Sequence, residues 1–373
     1  MLLTVHSLPF NFSVLISAAV FLIALVLVIW QPRRMNIAWP AIAGAALLIA
    51  LRLVSLSDLR LIVGTTWDAT LTLVALMIIS ATLDSNGFFT WGARRLLIMA
   101  GGSGRIAFVY IVLLTVAVTA ILANDGAVLI LVPIFCGMFT EIGIPRYKAL
   151  PYLLTAGFLA DAASTPLIAS NLTNIIVADS FHLSAAAFAT RMALPTAFIV
   201  ISASSVLFWQ YRKELPDYYD VSRIEIPNRA LKDLHAFRMG WAVLILLPVG
   251  YVISGIFGIP VSVVAGTAAL LLLGQGRARR VIKVRRIIAR SPWYIVIYAV
   301  AMFALVLGLS NSGLTSQMNR LIASPSGALP LRMLSAALTT GAAAAGVNNL
   351  PAALVSVLEL KQRATAGSSG TEP

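Results

Sequence analysis

Three short polar patches interrupt long apolar runs in this chain. The first is Asn124-Asp125-Gly126 in "AILANDGAVLIL". The second is "FLADAASTPLIASNLTN", which holds Asp161, Ser164, Thr165, Pro166, Ser170, Asn171, Thr173 and Asn174. The third is Asn348-Asn349 in "GVNNLPAALVS", followed by Pro351. Amides and hydroxyls both donate and accept hydrogen bonds, so Asn124, Ser170, Asn171, Asn348 and Asn349 are candidates to bind a polar cargo. Asp125 and Asp161 can each take up and release a proton, and a carboxylate inside a membrane marks an ion or proton path. Gly126, Pro166 and Pro351 read as helix breaks that free backbone groups at the same places.

Other chemistries lack their residues. The single cysteine, Cys136, excludes a disulfide framework or a Cys-x-x-Cys metal site within one chain, and is expected to be a small core residue. The three histidines, His6, His182 and His235, fall in predicted loops, so no metal site, cofactor or His-based catalysis is expected. The paired aspartates lack the tyrosine-aspartate and GxGD contexts of an intramembrane protease. The chain therefore reads as a carrier, not an enzyme.

The elements that must position these residues follow from composition. The 373 residues are 60% hydrophobic and 11% charged, with a mean hydropathy of +0.93. That is too little charge to cover a soluble surface. Apolar runs of about 18 residues or more recur along the chain, which predicts an all-α polytopic membrane protein. The net charge of +13 sits in short loops, so it sets topology and implies no nucleic-acid partner.

The predicted spans are 10–30, 37–54, 67–83, an interrupted 149–178, 187–210, 239–257, 260–273 and 293–309. Arg33, Arg34, Arg94, Arg95, Arg105 and the basic loop "GQGRARRVIKVRR" place the N-terminus outside. Both ends of 107–140 are then cytoplasmic, so this segment is expected to be a re-entrant hairpin with "ANDG" at its tip. Non-helical backbone at that depth is tolerated only inside protein or beside a water-filled cavity. Residues 211–238 mix acidic and basic side chains and are expected to form a solvated cytoplasmic connector.

The sequence also repeats. "WDATLTLVALMIISATLDSNGFF" from Trp67 matches "WYIVIYAVAMFALVLGLSNSGLT" from Trp293, and Asn124-Asp125 falls on Asn348-Asn349. This predicts two inverted repeats. The first covers 10–210, with the hairpin 107–140 and the broken helix 149–178. The second, 239–360, is incomplete and ends in a polar tail, 361–373. The partner of the broken helix would lie beyond Pro373, so a C-terminally truncated chain is expected.

At these residues the chain resembles a known family. "FLADAASTPLIASNLTNIIVADSF", "ILANDGAVLILVPI", "GWAVLILLPVGYVISGIFGIPVS" and "VNNLPAALV" are similar to the ArsB family of arsenite efflux permeases, across about Leu15 to Leu358. The resemblance implies export of arsenite and antimonite across the bacterial inner membrane in exchange for protons. It also implies a possible cytosolic ATPase, ArsA, and a possible homodimer. The rivals are a dicarboxylate or citrate carrier, a sodium/proton antiporter and a truncated inactive copy. Asp125 would repel an anionic cargo, and two intramembrane carboxylates are few for a sodium/proton antiporter.

Overall fold

The computed structural model describes residues 10–291, 293–313, 329–347 and 349–357. Among them the regular structure is helical, as the composition predicts. Eight helices are long and apolar enough to cross a membrane. The chain is a multi-pass membrane protein.

Packing divides the chain into two units, which is a different grouping from the sequence repeats. One holds the described residues up to Thr70 together with those from Trp293 onward, and the other residues 71–291. In the first unit, α1 (Phe10–Trp30) and α2 (Ala38–Ala50) pack with α13 (Trp293–Asn311). Gly44 and Gly308 let α2 and α13 approach closely: a Cβ at either would press into Leu305 or Leu48 of the facing helix. Asn311 Nδ2 closes this unit by donating to the Leu53 carbonyl at 3.2 Å and to Asp58 Oδ2 at 3.1 Å. α14 (Leu329–Val347) and a helical stretch over 349–357 complete its described part. Asn348 lies outside the described residues, as does the tail 361–373. Pro351 itself is helical, within the described stretch 349–357.

The long helix α3 (Leu56–Ser85) runs from the first unit into the second. It replaces the shorter predicted span 67–83, because Asp58 and Arg60 sit on it as helical residues. The second unit continues with α4 (Phe88–Met99), α5 (Gly104–Ile121), α6 (Asn124–Glu141), α7 (Arg146–Ala162), α8 (Leu172–Ser180), α9 (Ala185–Tyr211), α10 (Leu234–Phe257), α11 (Val261–Ala278) and α12 (Val284–Arg290). α4 and α12 are helices where only loops were expected. Each is short and carries arginines on one side and buried apolar residues on the other, Phe89, Ala93 and Leu97 on α4 and Ile287 on α12. A scan for uninterrupted apolar runs misses such amphipathic pieces.

Residues 104–141 form two helices, α5 and α6, joined by a short break. The buried Tyr152, early in α7, shows that the two ends of this segment lie together. Its hydroxyl donates to the Gly104 carbonyl at the start of α5 (2.9 Å), and its ring packs on Phe139 near the end of α6 (4.8 Å between centroids). Ser103 caps α5 by accepting from the Ile106 amide. Each arm is 18 residues, about 27 Å at 1.5 Å per residue, so either could reach across the hydrocarbon. Cys136 is exposed on α6 and not in the core, because the buried stripe of that helix runs through Leu131, Phe135, Met138 and Phe139.

The connector is not a free solvated loop. Residues 212–233 strap the base of the hairpin. Tyr219 Oη donates to the Leu97 carbonyl at 2.6 Å, and its amide donates to the Gly102 carbonyl at 2.8 Å. Burial pushes the Tyr219 phenol up to about 12, so it stays a donor at neutral pH. Arg94 bridges strap and hairpin, at 2.8 Å from Glu225 and 3.6 Å from Glu141. Asn86 pairs with the backbone of Asp233 through both side-chain atoms, at 3.1 and 3.0 Å. Gly87 (φ 82°) and Gly104 lie so close under the strap that a Cβ at either would overlap the Ala230 or the Pro216 carbonyl. Two acidic residues of 211–238 are thus counter-ions, Glu225 to Arg94 on α4 and Asp217 to Arg105 on the hairpin.

Candidate functional site

Two interruptions meet in the second unit. Between α5 and α6 the helix is broken only at Leu122 (ψ 151°) and Ala123 (ψ 142°). Gly126 is therefore not the break. It is helical, in the first turn of α6, and its missing side chain leaves room beside Ser80 of α3: a Cβ there would lie 3.4 Å from Ser80 Oγ. Ser80 is 2% exposed, and its hydroxyl has no hydrogen-bond partner among the described residues. The N-cap Ala123 offers α6 no side-chain acceptor, so the first amides of the helix are left to a ligand or water.

The second interruption separates α7 from α8 and covers residues 163–171 around Pro166. Its backbone is held by its own polar side chains. Ser170 Oγ donates to the carbonyls of Ser164 and Leu167, at 2.6 and 2.7 Å. Asn174 Nδ2 donates to the same two carbonyls at 2.8 and 3.1 Å. Asn171 caps α8 by accepting from the Thr173 amide and hydroxyl, at 3.1 and 2.9 Å, and donates to Ser164 Oγ at 3.1 Å. Proline removes a donor and forces the chain off the helix, and every stray carbonyl in a buried break costs free energy until it is paired. The run Ser-Thr-Pro-x-x-x-Ser-Asn-x-Thr-Asn does that pairing locally.

The two breaks join through one contact. Asn124 Nδ2, first residue of α6, donates to Asp161 Oδ1, near the end of α7, at 3.2 Å. The Asp125 carboxylate stands within electrostatic reach of Asp161. Asp161 is exposed, while Asn124, Asp125 and Asn171 are half-buried. The expected residues Asn124, Asp125 and Asp161 therefore share one polar region, while Asn171 bonds within the second interruption. Ser170 lies beneath it, fully buried and committed to backbone carbonyls. Asn349 is exposed in the other packing unit.

Two participants were missed from sequence. Thr196 of α9 shares a 2.8 Å hydrogen bond with Thr165, and Ser80 faces the hairpin tip. Each is one of several hydroxyls in its helix, beside Thr70, Thr72 and Thr82 on α3 and Thr190, Ser202 and Ser204 on α9, so residue type does not single it out. Only Pro195, next to Thr196, hinted at a weak point in α9. Among the described residues no cluster of His, Cys, Asp or Glu could hold a metal ion.

Comparison with known proteins agrees with this architecture. Residues 16–370 match the family model described as arsenical pump membrane protein. An arsenical pump membrane protein of Escherichia coli is 41% identical over 305 residues, covering 82% of this chain and 71% of that one. A second from Escherichia coli is 37% identical over 93% of this chain and 81% of its own length. One from Yersinia enterocolitica is 38% identical over 95% and 82%. With nearly the whole length matched, the chain belongs to the ArsB family of arsenical pump membrane proteins.

Proposed function

We propose that this chain is a secondary transporter that exports arsenite and antimonite across the bacterial inner membrane in exchange for protons. The observation that carries this reading is the Asn124–Asp161 hydrogen bond. It ties the ends of two interrupted helices to a carboxylate, with a second carboxylate, Asp125, beside it. The relatives named as arsenical pumps supply the class of cargo.

Trivalent arsenite near neutral pH is mainly uncharged As(OH)3, which offers hydroxyl donors and oxygen acceptors. An ionised Asp161 or Asp125 accepts from those hydroxyls, and the free amides at the start of α6, with Asn124 and Asn171, donate to its oxygens. A proton arriving from outside converts the carboxylate from acceptor to donor. It thereby removes the cargo's best partner and weakens the Asn124 bond. Cargo and proton then compete for one group, which is what an exchanger requires. Release of the proton to the cytoplasm restores the ionised site. Hydrogen bonding without thiolates keeps the cargo releasable, and the exposed Cys136 takes no part. The inverted repeat belongs to the same proposal. In its favour, α3 and α13 both run into a left-handed glycine, Gly87 at φ 82° and Gly313 at φ 86°. The ATPase and the dimer implied by the resemblance are not needed for this exchange step.

The test is uptake into everted membrane vesicles energised by a proton gradient, with arsenite, antimonite, sodium and citrate in parallel. Arsenite should accumulate and leak back when a protonophore collapses the gradient. Citrate or sodium movement in place of arsenite would overturn the assignment. Citrate is disfavoured here because two carboxylates face the same region.

A further inference from the structure

An apolar cavity lies along the hairpin arm α5 and reaches Leu122 at the break. It has a volume of about 590 Å³ and is bounded by α4, α5 and α10. Its walls are apolar: Phe88 and Trp91 on α4, Leu114 and Val118 on α5, Trp241 and Ile245 on α10. The exception at its edge is Arg95, the one charged lining residue. The neighbouring Arg94 is held by two glutamates, but Arg95 is exposed and has no ion pair among the described residues. Arg238, also exposed, precedes Trp241 by one turn on the same face of α10. Gly92 keeps the space open, since the nearest atom to a Cβ there would be Leu114 Cδ1 at 3.9 Å.

We infer that this cleft binds one anionic phospholipid, with an acyl chain between α5 and α10 and the phosphate against Arg95. The walls offer a polar cargo nothing to bond to, while a lipid tail loses little on leaving the bilayer for them. A free guanidinium at the mouth selects a phosphate that carries net negative charge over a zwitterionic headgroup. The aromatic rings of Trp91 and Trp241 suit the boundary between headgroup and chain. Leu114 and Val118 lie on the arm of α5 that leads straight to the break at Leu122. An acyl chain there braces the arm that carries Asn124 and Asp125, so the bound lipid would tune the tip without touching cargo.

The experiment is native mass spectrometry of the purified full chain, mixed with phosphatidylglycerol or phosphatidylethanolamine of identical chains. The unsubstituted protein should hold one phosphatidylglycerol about fivefold more strongly than phosphatidylethanolamine, the preference one cation near a surface gives. Arg95→Gln should hold both equally. Gly92→Phe and, independently, Ala117→Trp should lose the retained lipid altogether while the protein stays monodisperse. No preference in the unsubstituted protein overturns the proposal, and so does a preference that survives Arg95→Gln. Binding is read without transport, so failure here leaves the exchanger reading untouched.

Discussion

The two helix interruptions of the second unit solve the same problem in opposite ways. The break between α7 and α8 is nine residues long and satisfies itself, through Ser164, Ser170, Asn171 and Asn174. The break between α5 and α6 is two residues long, has no side-chain cap, and sends its first polar group, Asn124, across to Asp161. A long break must stitch its own carbonyls before it can face a ligand. A short break leaves few groups stranded and can offer a helix N-terminus outward. In the proposed exchange the first is thus a wall and the second the edge that meets cargo. Polar residues of similar type therefore have different jobs depending on which break they occupy.

The largest expected effect tests the shared carboxylates. Asp161→Asn and Asp125→Asn each remove an ionisable group with little change in shape. If proton exchange runs through this pair, gradient-driven arsenite accumulation in vesicles should fall on the order of 100-fold in at least one of them. Downhill arsenite flux should survive in that variant. Full gradient-driven transport in both variants would break the reading of the short break as the coupling edge.

The next effect separates wall from edge. Asn174 is nearly buried and donates to two carbonyls inside the long break. Asn174→Ala removes one of the two donors on each carbonyl, leaves the single Ser170 hydroxyl to serve both, and should cost about 1 kcal/mol of stability. Thermal unfolding of the detergent-solubilised protein would read it as a lowered midpoint, while arsenite affinity per folded molecule stays constant. Asn124→Ala should do the reverse, weakening affinity about tenfold with a small change in midpoint. Equal effects of the two substitutions on affinity would erase the distinction.

Much of this arrangement could be read from the sequence because membrane helices punish polar groups severely. Asn124, Asp125, Asp161 and Pro166 stood out against apolar neighbours, and three of those four face one polar region. The failures have a common physical origin. Gly126 looked like the break, but a helix can begin at any residue with the right backbone angles, and the glycine is used for closeness to Ser80. The partners of Arg94 lie 47 and 131 positions away along the chain, at Glu141 and Glu225. No local pattern encodes such pairs, so the strap read as a solvated connector. α4 was hidden because its apolar residues are spaced at helical intervals rather than run together. Ser170 reads as a cargo ligand because residue type alone does not reveal whether a hydroxyl is buried.

The smallest expected effect bears on the tip itself. Gly126 is helical, so replacing it with alanine removes backbone freedom from the unfolded chain and should stabilise the protein by about 0.5–1 kcal/mol. The added methyl meets Ser80 Oγ at 3.4 Å and Ser80 Cβ at 3.7 Å, ordinary contact distances that require no backbone shift. Yet that methyl fills the space between α3 and the first turn of α6, where the Ser80 hydroxyl is buried without a partner among the described residues. If the short break is an edge that receives cargo, Gly126→Ala should raise the unfolding midpoint and lower arsenite affinity together. A higher midpoint with unchanged affinity would move the cargo away from Ser80, toward Asn171 and the long break. The distinction between wall and edge would then have to be drawn one helix further along.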